Sequence, residues 1–361
     1  MQNVIRNTED EHKKIENKDE IGRIIHEELL DSYCDSYVQF GKNDTCLNGI
    51  YLNYIDVIRN FEIRNDDIIV ASYPKAGTTW TQEVVWMIAN NVDFIGAQEH
   101  LDKRFPHLEL CTLFDFKKLE LKTGSTRPEY VRDSVEYTKN LPAPRLIKTH
   151  LPFSLLPDQI QNGTRVPKII YVIRNPKDVC VSYYHHGTLM QGWRTNLDNF
   201  SEVFLADKAM YGSYWKHVLE FWDRRLSSNV LLICYEDMKK NLLSVIRKIA
   251  DFLDKTLPEE KIPQLLEHLS FESMKNNRAV NQEDKIQSRL KHKLATGTGS
   301  FIRSGNVKKY KQEMSHVLIK KFDSWTERNV EGSSIKNHPI ISACDDLMLY
   351  LDPISDVIMT H

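Results

Sequence analysis

The stretch DDIIVASYPKAGTTWTQE, residues 66–83, constrains the fold more than any other part of the chain. A nearly continuous apolar run of this kind is how a strand covered on both faces reads. After Gly77 the apolar residues Trp80, Val84, Met87 and Ile88 recur at helical spacing. A strand that feeds a helix through a glycine turn presents free amides, and the positive end of the helix dipole, to an anion. Lys75 stands before Gly77, and Gly-Lys-Ser/Thr is absent, so the loop is not one whose lysine follows a polyphosphate chain. The same residues also fit a plain strand–turn–helix in which Thr79 and Gln82 form a capping box.

Three more short apolar runs, at 145–150, 168–174 and 230–236, read as strands, and 243–253 reads as an amphipathic helix. The alternation predicts a three-layer α/β domain with a central parallel sheet and one phosphate-binding strand–loop–helix, like that of nucleotide kinases. Ligands in such folds gather at the carboxyl ends of the strands, which singles out Lys75, His150, Arg174 and Tyr235. We expect residues 1–25 to be a mobile polar tail, 26–330 a single domain and 331–361 a C-terminal extension. An insertion over about 95–144 interrupts the alternation, and its part 111–144 is charged and turn-rich, as a surface lid would be. Residues 278–300 form a second such stretch.

A net charge of −2 gives no broad attraction to nucleic acid or to an anionic membrane, so any anion site must be local. The six cysteines show no metal or redox spacing, and neither an export signal nor a membrane span is evident, which points to the cytoplasm. A second local anion site is suggested by RNPKDVCVSYYHH, where Asn175 suits an N-cap, Pro176 the first helical position and Asp178 the first turn. Arg174 and Ser182 would face that site, and FIRSG adds Arg303, Ser304 and Gly305. Each arginine read alone is better explained by a surface ion pair. His185 and His186 are adjacent on a helix and point to different faces, so no metal is expected there.

Taken together, YPKAGTTW, KTHLP, RNPKDVCVSYYHH, YEDM, SFESMKNN and FIRSG resemble the cytosolic sulfotransferases, in order and spacing, from about Asp66 to Arg303. TQEVVWMI and NNRAVNQED are similar to invertebrate members, retinol dehydratase among them. The resemblance implies the donor 3′-phosphoadenosine-5′-phosphosulfate, the product adenosine 3′,5′-bisphosphate, and no metal. It implies that Lys75, Ala76, Gly77, Thr78 and Thr79 hold the 5′-phosphosulfate, that Trp80 and Phe271 sandwich the adenine, and that Tyr235 and Ser270 contact it. Arg174, Ser182, Arg303, Ser304 and Gly305 would surround the 3′-phosphate. His150 would be the general base, with Lys75 and Lys148 stabilising charge on the sulfuryl group and the departing phosphate. The expected acceptor is a small hydroxylated molecule, a phenol, steroid or lipid alcohol, with Phe94, Phe105, Tyr184, His186 and Trp193 in its pocket wall.

Two positions depart from the family pattern. Ser304 replaces a lysine beside the 3′-phosphate, for which Lys308, Lys309 and Lys311 are expected to compensate in part, with Tyr310 in place of a tryptophan. In the dimer motif His316 and Lys320 replace valine and glutamate, so a family-type homodimer is not expected. Sulfation competes with two other outcomes: elimination through a sulfated intermediate, as in a dehydratase, and donor-nucleotide binding with weak catalysis.

Overall fold

The computed structural model describes residues 12–31 and 33–342, and the apolar runs become the centre of the molecule. Strands β1 (His12–Lys14), β2 (Tyr37–Phe40) and β3 (Thr45–Asn48) form an antiparallel sheet of their own. Strands β4 (Ile68–Ser72), β5 (Leu146–Thr149), β6 (Lys168–Ile173) and β7 (Val230–Cys234) form a parallel sheet in the order β5-β4-β6-β7. The helices that matter below are α1 (Thr78–Ala89), α2 (Pro176–His186), α3 (Leu242–Phe252), α4 (Glu283–Lys291) and α5 (His316–Val330).

The side-chain period of two explains why these strands lack a polar face. Ile69, Ala71, Ile147, Ile169, Tyr171 and Ile173 point into one core, shared with Val179 and Tyr183 of α2 and with Phe322 and Trp325 of α5. Ile68, Val70, Leu146, Ile170, Val172 and Ile233 point into another, shared with Val84, Met87 and Ile88 of α1 and with Ile246 and Ile249 of α3. Helices therefore cover both faces, and the three-layer α/β fold is present.

The register aligns the strand ends. Ala71 faces Thr149 on one side and Tyr171 on the other, while Ile173 faces Cys234. The residues that follow, the loop after Ser72, His150, Arg174 and Tyr235, consequently emerge along one edge of the sheet. Because β4 and β5 pair on one side and β4 and β6 on the other, a crevice opens at this edge.

Three expectations are corrected. The tail does not extend to residue 25: β1 pairs with β2, and Ile15, Ile24, Ile25 and Leu29 are buried, a short apolar spacing concealed among charges. The insertion is not a featureless surface excursion. It contains helices Phe116–Thr123, Glu129–Arg132 and Ser134–Lys139, and Phe116, Leu119 and Val131 form a small core beneath them. Nor do Thr79 and Gln82 cap α1. Its N-cap is Gly77, and the Gln82 amide instead donates to the Phe105 carbonyl at 3.1 Å. Within the C-terminal extension, Ile335 and Ile341 are buried and the Trp222 indole donates to Ser334 at 2.9 Å, whereas DLMLYL (346–351) lies outside the described residues. Among the described residues no helix is long and apolar enough to cross a membrane.

Candidate active site

The crevice continues into one cavity of about 380 Å³. At one end are Lys75, Gly77, Thr78, Thr79, Trp80, Arg174, Ser182, Tyr235, Phe271, Arg303, Ser304 and Gly305. At the other are apolar side chains from the insertion, including Leu113, Phe114, Phe116, Leu119 and Val131. Lys148, His150 and His186 line it as well.

The turn after β4 is shaped by backbone and by one missing side chain. Lys75 and Gly77 both have positive φ, 68° and 113°. A Cβ on Gly77 would stand 2.6 Å from a ring carbon of Tyr235, so the position demands glycine for both conformation and space. The Thr78 and Ser72 hydroxyls are hydrogen-bonded at 2.6 Å. Gly305 is cramped in the same way, since a Cβ there would collide with the Phe271 ring. The Trp80 indole donates to the Leu269 carbonyl at 3.0 Å and meets the Tyr235 ring edge-on at 5.7 Å.

Arg174 lies against the turn. One terminal nitrogen donates to the Lys75 carbonyl and the other to the Asn306 carbonyl, both at 3.2 Å, and the guanidinium lies over Tyr235 at 4.2 Å. Its buried Nε has no protein partner. Arg303 is bound to Glu313 at 2.6 Å, which realises the alternative ion-pair reading for that arginine while leaving it on the cavity wall. Burial, and then the charges of Lys148, Arg174 and Arg303, bring the Lys75 ammonium down to about 7. Burial likewise lowers Lys148. Of these cations Arg303 has a carboxylate partner, whereas Lys75 and Arg174 have none within ion-pair distance among the described residues, which suits the site to an anion.

His150 is oriented from several sides. Its Nδ1 lies 2.8 Å from the Ser72 carbonyl, which can only accept, so Nδ1 carries the proton and Nε2 keeps the lone pair. Its backbone N–H donates to Glu109 at 2.7 Å and its carbonyl accepts from His217 at 2.9 Å. Burial, followed by Lys148 and His107, drives the imidazole well below its ordinary value, so it is neutral at physiological pH.

Other expected residues lie elsewhere. Phe105 and Trp193 are completely enclosed in the two cores, Phe94 packs against His268, and Tyr184 packs against the core beside His185, so of the proposed pocket wall only His186 faces the cavity. Helical and strand faces set by neighbouring packing, which motif spacing does not encode, decided these positions. Ala76 is buried beside the turn, off the wall. Ser270 caps the helix Phe271–Asn276 by accepting from the Ser273 N–H, and lies off the wall too. Lys308, Lys309 and Lys311 do not line this cavity. Lys308 and Lys309 border a separate shallow groove, while Tyr310 is buried and its N–H donates to Asp178 at 3.2 Å.

Four residues absent from the sequence reading also line or brace the site. Glu109 is fully buried and accepts from the His150 N–H, from Thr149 at 2.9 Å and from His107 at 2.8 Å. The Phe301 ring lies 4.2 Å from the Lys75 ammonium. Arg127 and Arg289 reach the far end of the cavity. Phe301 precedes the FIRSG arginine by two residues and was within reach of motif reasoning, but nothing local marks the other three.

A family profile described as the sulfotransferase domain matches residues 65–334. Luciferin sulfotransferase of Photinus pyralis is 63% identical over 328 residues, spanning 91% of this chain and 89% of its own. Sulfotransferase 1E1 of Bos taurus is 33% identical, over 82% of this chain and 95% of its own. Among solved structures, retinol dehydratase in complex with androsterone and the inactive cofactor PAP superposes with a TM-score of 0.78 at 31% identity, covering 90% of this chain and 97% of that one. The chain belongs to the sulfotransferase family, enzymes dependent on 3′-phosphoadenosine-5′-phosphosulfate.

Proposed function

We propose that this chain transfers the sulfuryl group of 3′-phosphoadenosine-5′-phosphosulfate to a hydroxyl of a small, largely apolar acceptor, with His150 as general base. The fixed tautomer of His150, beside the cation cluster, carries this reading. The residues suit the donor: Arg174 has an unpaired buried Nε, and Gly77 and Gly305 leave room a Cβ would fill. Lys75, Gly77, Thr78 and Thr79 would hold its 5′ end, Trp80, Phe271 and Tyr235 its base, and Arg174, Ser182, Arg303 and Gly305 its 3′-phosphate. When bound, the donor supplies the sulfur to which the acceptor oxygen bonds as the sulfur–oxygen bond to the 5′-phosphate breaks.

Nε2 of His150 takes the proton of the acceptor hydroxyl, which at neutral pH is mostly un-ionised. Lys75 and Lys148 offset the negative charge that gathers on the sulfuryl oxygens and the leaving phosphate. The apolar end of the cavity excludes water and orients the acceptor. All five described cysteines are unbridged and buried, which supports a cytosolic location.

Incubation with labelled donor and an acceptor panel that includes luciferin, retinol and androsterone tests this reading. A product heavier by one SO₃ is expected; lack of transfer to every acceptor refutes it. A product lighter by one water would instead establish the dehydratase outcome, for which the retinol dehydratase superposition is the motive.

A further inference from the structure

The apolar end of the cavity contains two arginines that the reaction does not require. Arg289, on α4, is only 7% exposed, and its guanidinium lies over the Phe114 ring at 5.3 Å. One terminal nitrogen donates to the Leu294 carbonyl at 3.3 Å, and Nε is buried with no partner. Arg127 comes from the insertion and also lines the cavity with a buried, unpartnered Nε. Its backbone N–H is satisfied by Glu120 at 2.6 Å. Neither guanidinium has a carboxylate within ion-pair distance among the described residues.

Three acidic groups lie nearby, none of them in an ion pair with either arginine. Asp31 is felt by Arg289 electrostatically, but its Oδ1 accepts the backbone N–H groups of Tyr33 and Cys34 at 2.7 and 2.9 Å. Asp102, Asp284 and Lys285 line the same cavity; Asp102 is paired with Lys285, and Asp284 is exposed. Burial, and the like charge of Arg127, pull Arg289 down to about 10 despite Asp31. A buried cation left unpaired is costly to the fold. The cost persists where a ligand supplies the counter-charge. The unpartnered Nε of Arg289, beside the terminal nitrogen that also donates to the Leu294 carbonyl, leaves the guanidinium with donors that suit a carboxylate.

We propose that Arg289, supported by Arg127, is an anion-recognising subsite at the acceptor end of the cavity, and that the acceptor is a hydroxylated aromatic carboxylate. This rests on the reading of the cavity as an acceptor site. It places the acceptor's hydroxyl toward His150 and its carboxylate toward α4. A neutral acceptor of the same shape leaves both arginines uncompensated, and discrimination against it follows from that loss.

The test uses 6-hydroxy-2-naphthoic acid, 4′-hydroxybiphenyl-4-carboxylic acid and the methyl ester of each. Binding is measured calorimetrically on full-length protein saturated with adenosine 3′,5′-bisphosphate, and turnover separately with the sulfate donor. At least one acid is expected to bind on the order of 10²-fold more tightly than its ester, as for a buried charge pair with one partner removed. Arg289→Met should bring that ratio to about one, and Arg127→Gln should reduce it by about tenfold or less, in keeping with its greater exposure. Retained stabilisation of each variant by the bisphosphate shows that it has folded. Equal or weaker binding of both acids, a ratio unaffected by Arg289→Met, or no binding of any probe overturns the subsite. Selective binding of an acid without sulfation upholds the subsite while counting against the sulfotransferase reading.

Discussion

Lys75 offers the sharpest quantitative test of the donor end. With its ammonium lowered to about 7 by burial and by Lys148, Arg174 and Arg303, the free protein at pH 8 holds that side chain charged in only about a tenth of molecules. Bound adenosine 3′,5′-bisphosphate places phosphate charge among these cations and raises Lys75 toward its ordinary value of 10.5. Binding must then take up about 0.9 proton at pH 8, since phosphate groups with a second pKa near 6 are already ionised there. Calorimetry in two buffers of different ionisation enthalpy reads this number directly. The same coupling makes Kd rise with pH, approaching about tenfold per unit above pH 7.5, because the binding-competent charged form becomes the minor one. Lys75→Met should weaken binding, abolish most of the uptake and flatten the pH profile. Proton uptake near zero, or uptake unchanged in Lys75→Met, refutes the claim that mutually repelling cations are stored for an anion.

Other outcomes follow from the same geometry. His150→Ala should lower kcat by about 10²- to 10⁴-fold while the bisphosphate still raises the melting temperature, which separates a base from a scaffold residue. Gly77→Ala should cost about 1 kcal/mol or more in urea unfolding and also weaken bisphosphate binding, since the added carbon meets both the Tyr235 ring and an unfavourable φ. The bisphosphate should raise the melting midpoint more than ATP at the same concentration, because the turn lacks the lysine that follows a polyphosphate. His107, His150, His186 and His217 are all lowered, each chiefly by burial, so below about pH 6.5 the unfolded chain binds more protons than the native one. Stability should therefore fall as pH drops through that value and be unaffected by these groups above it.

The donor half of the site was legible because its information is local. Strand, turn and helix start follow one another within a dozen residues, and the parallel register brings four such strand ends to one edge. That rule alone names Lys75, His150, Arg174 and Tyr235. What local reading mistook were faces and docking. Phe105 and Trp193 look like pocket aromatics in sequence, yet each is enclosed by neighbours from distant segments. Residues 12–29 look like a charged tail, and only the pairing of β1 with β2 and the burial of four aliphatic residues make them part of the body.

The acceptor half obeys a different logic. Its wall joins Phe114, Phe116 and Arg127 from the insertion to Met190, Met210 and Arg289 from segments up to 175 residues away in the chain, and no motif spans such distances. Glu109 shows the consequence most clearly. The charges around it balance in an unusual direction: burial works to raise its carboxyl, but His107 and the donors from Thr149 and His150 hold it below the usual range, hence ionised. That anion braces the backbone of His150, the proposed base, and it does so from the insertion rather than from the sheet. Since insertion residues also line the apolar end of the cavity, the proposed acceptor wall and the brace of the proposed base belong to one segment. A change of acceptor specificity made by altering residues 107–131 should therefore alter kcat as well as KM, with the largest kcat effects for substitutions nearest Glu109. Changes confined to Leu119 and Val131, which line the apolar end but do not touch that carboxylate, should act mainly on KM.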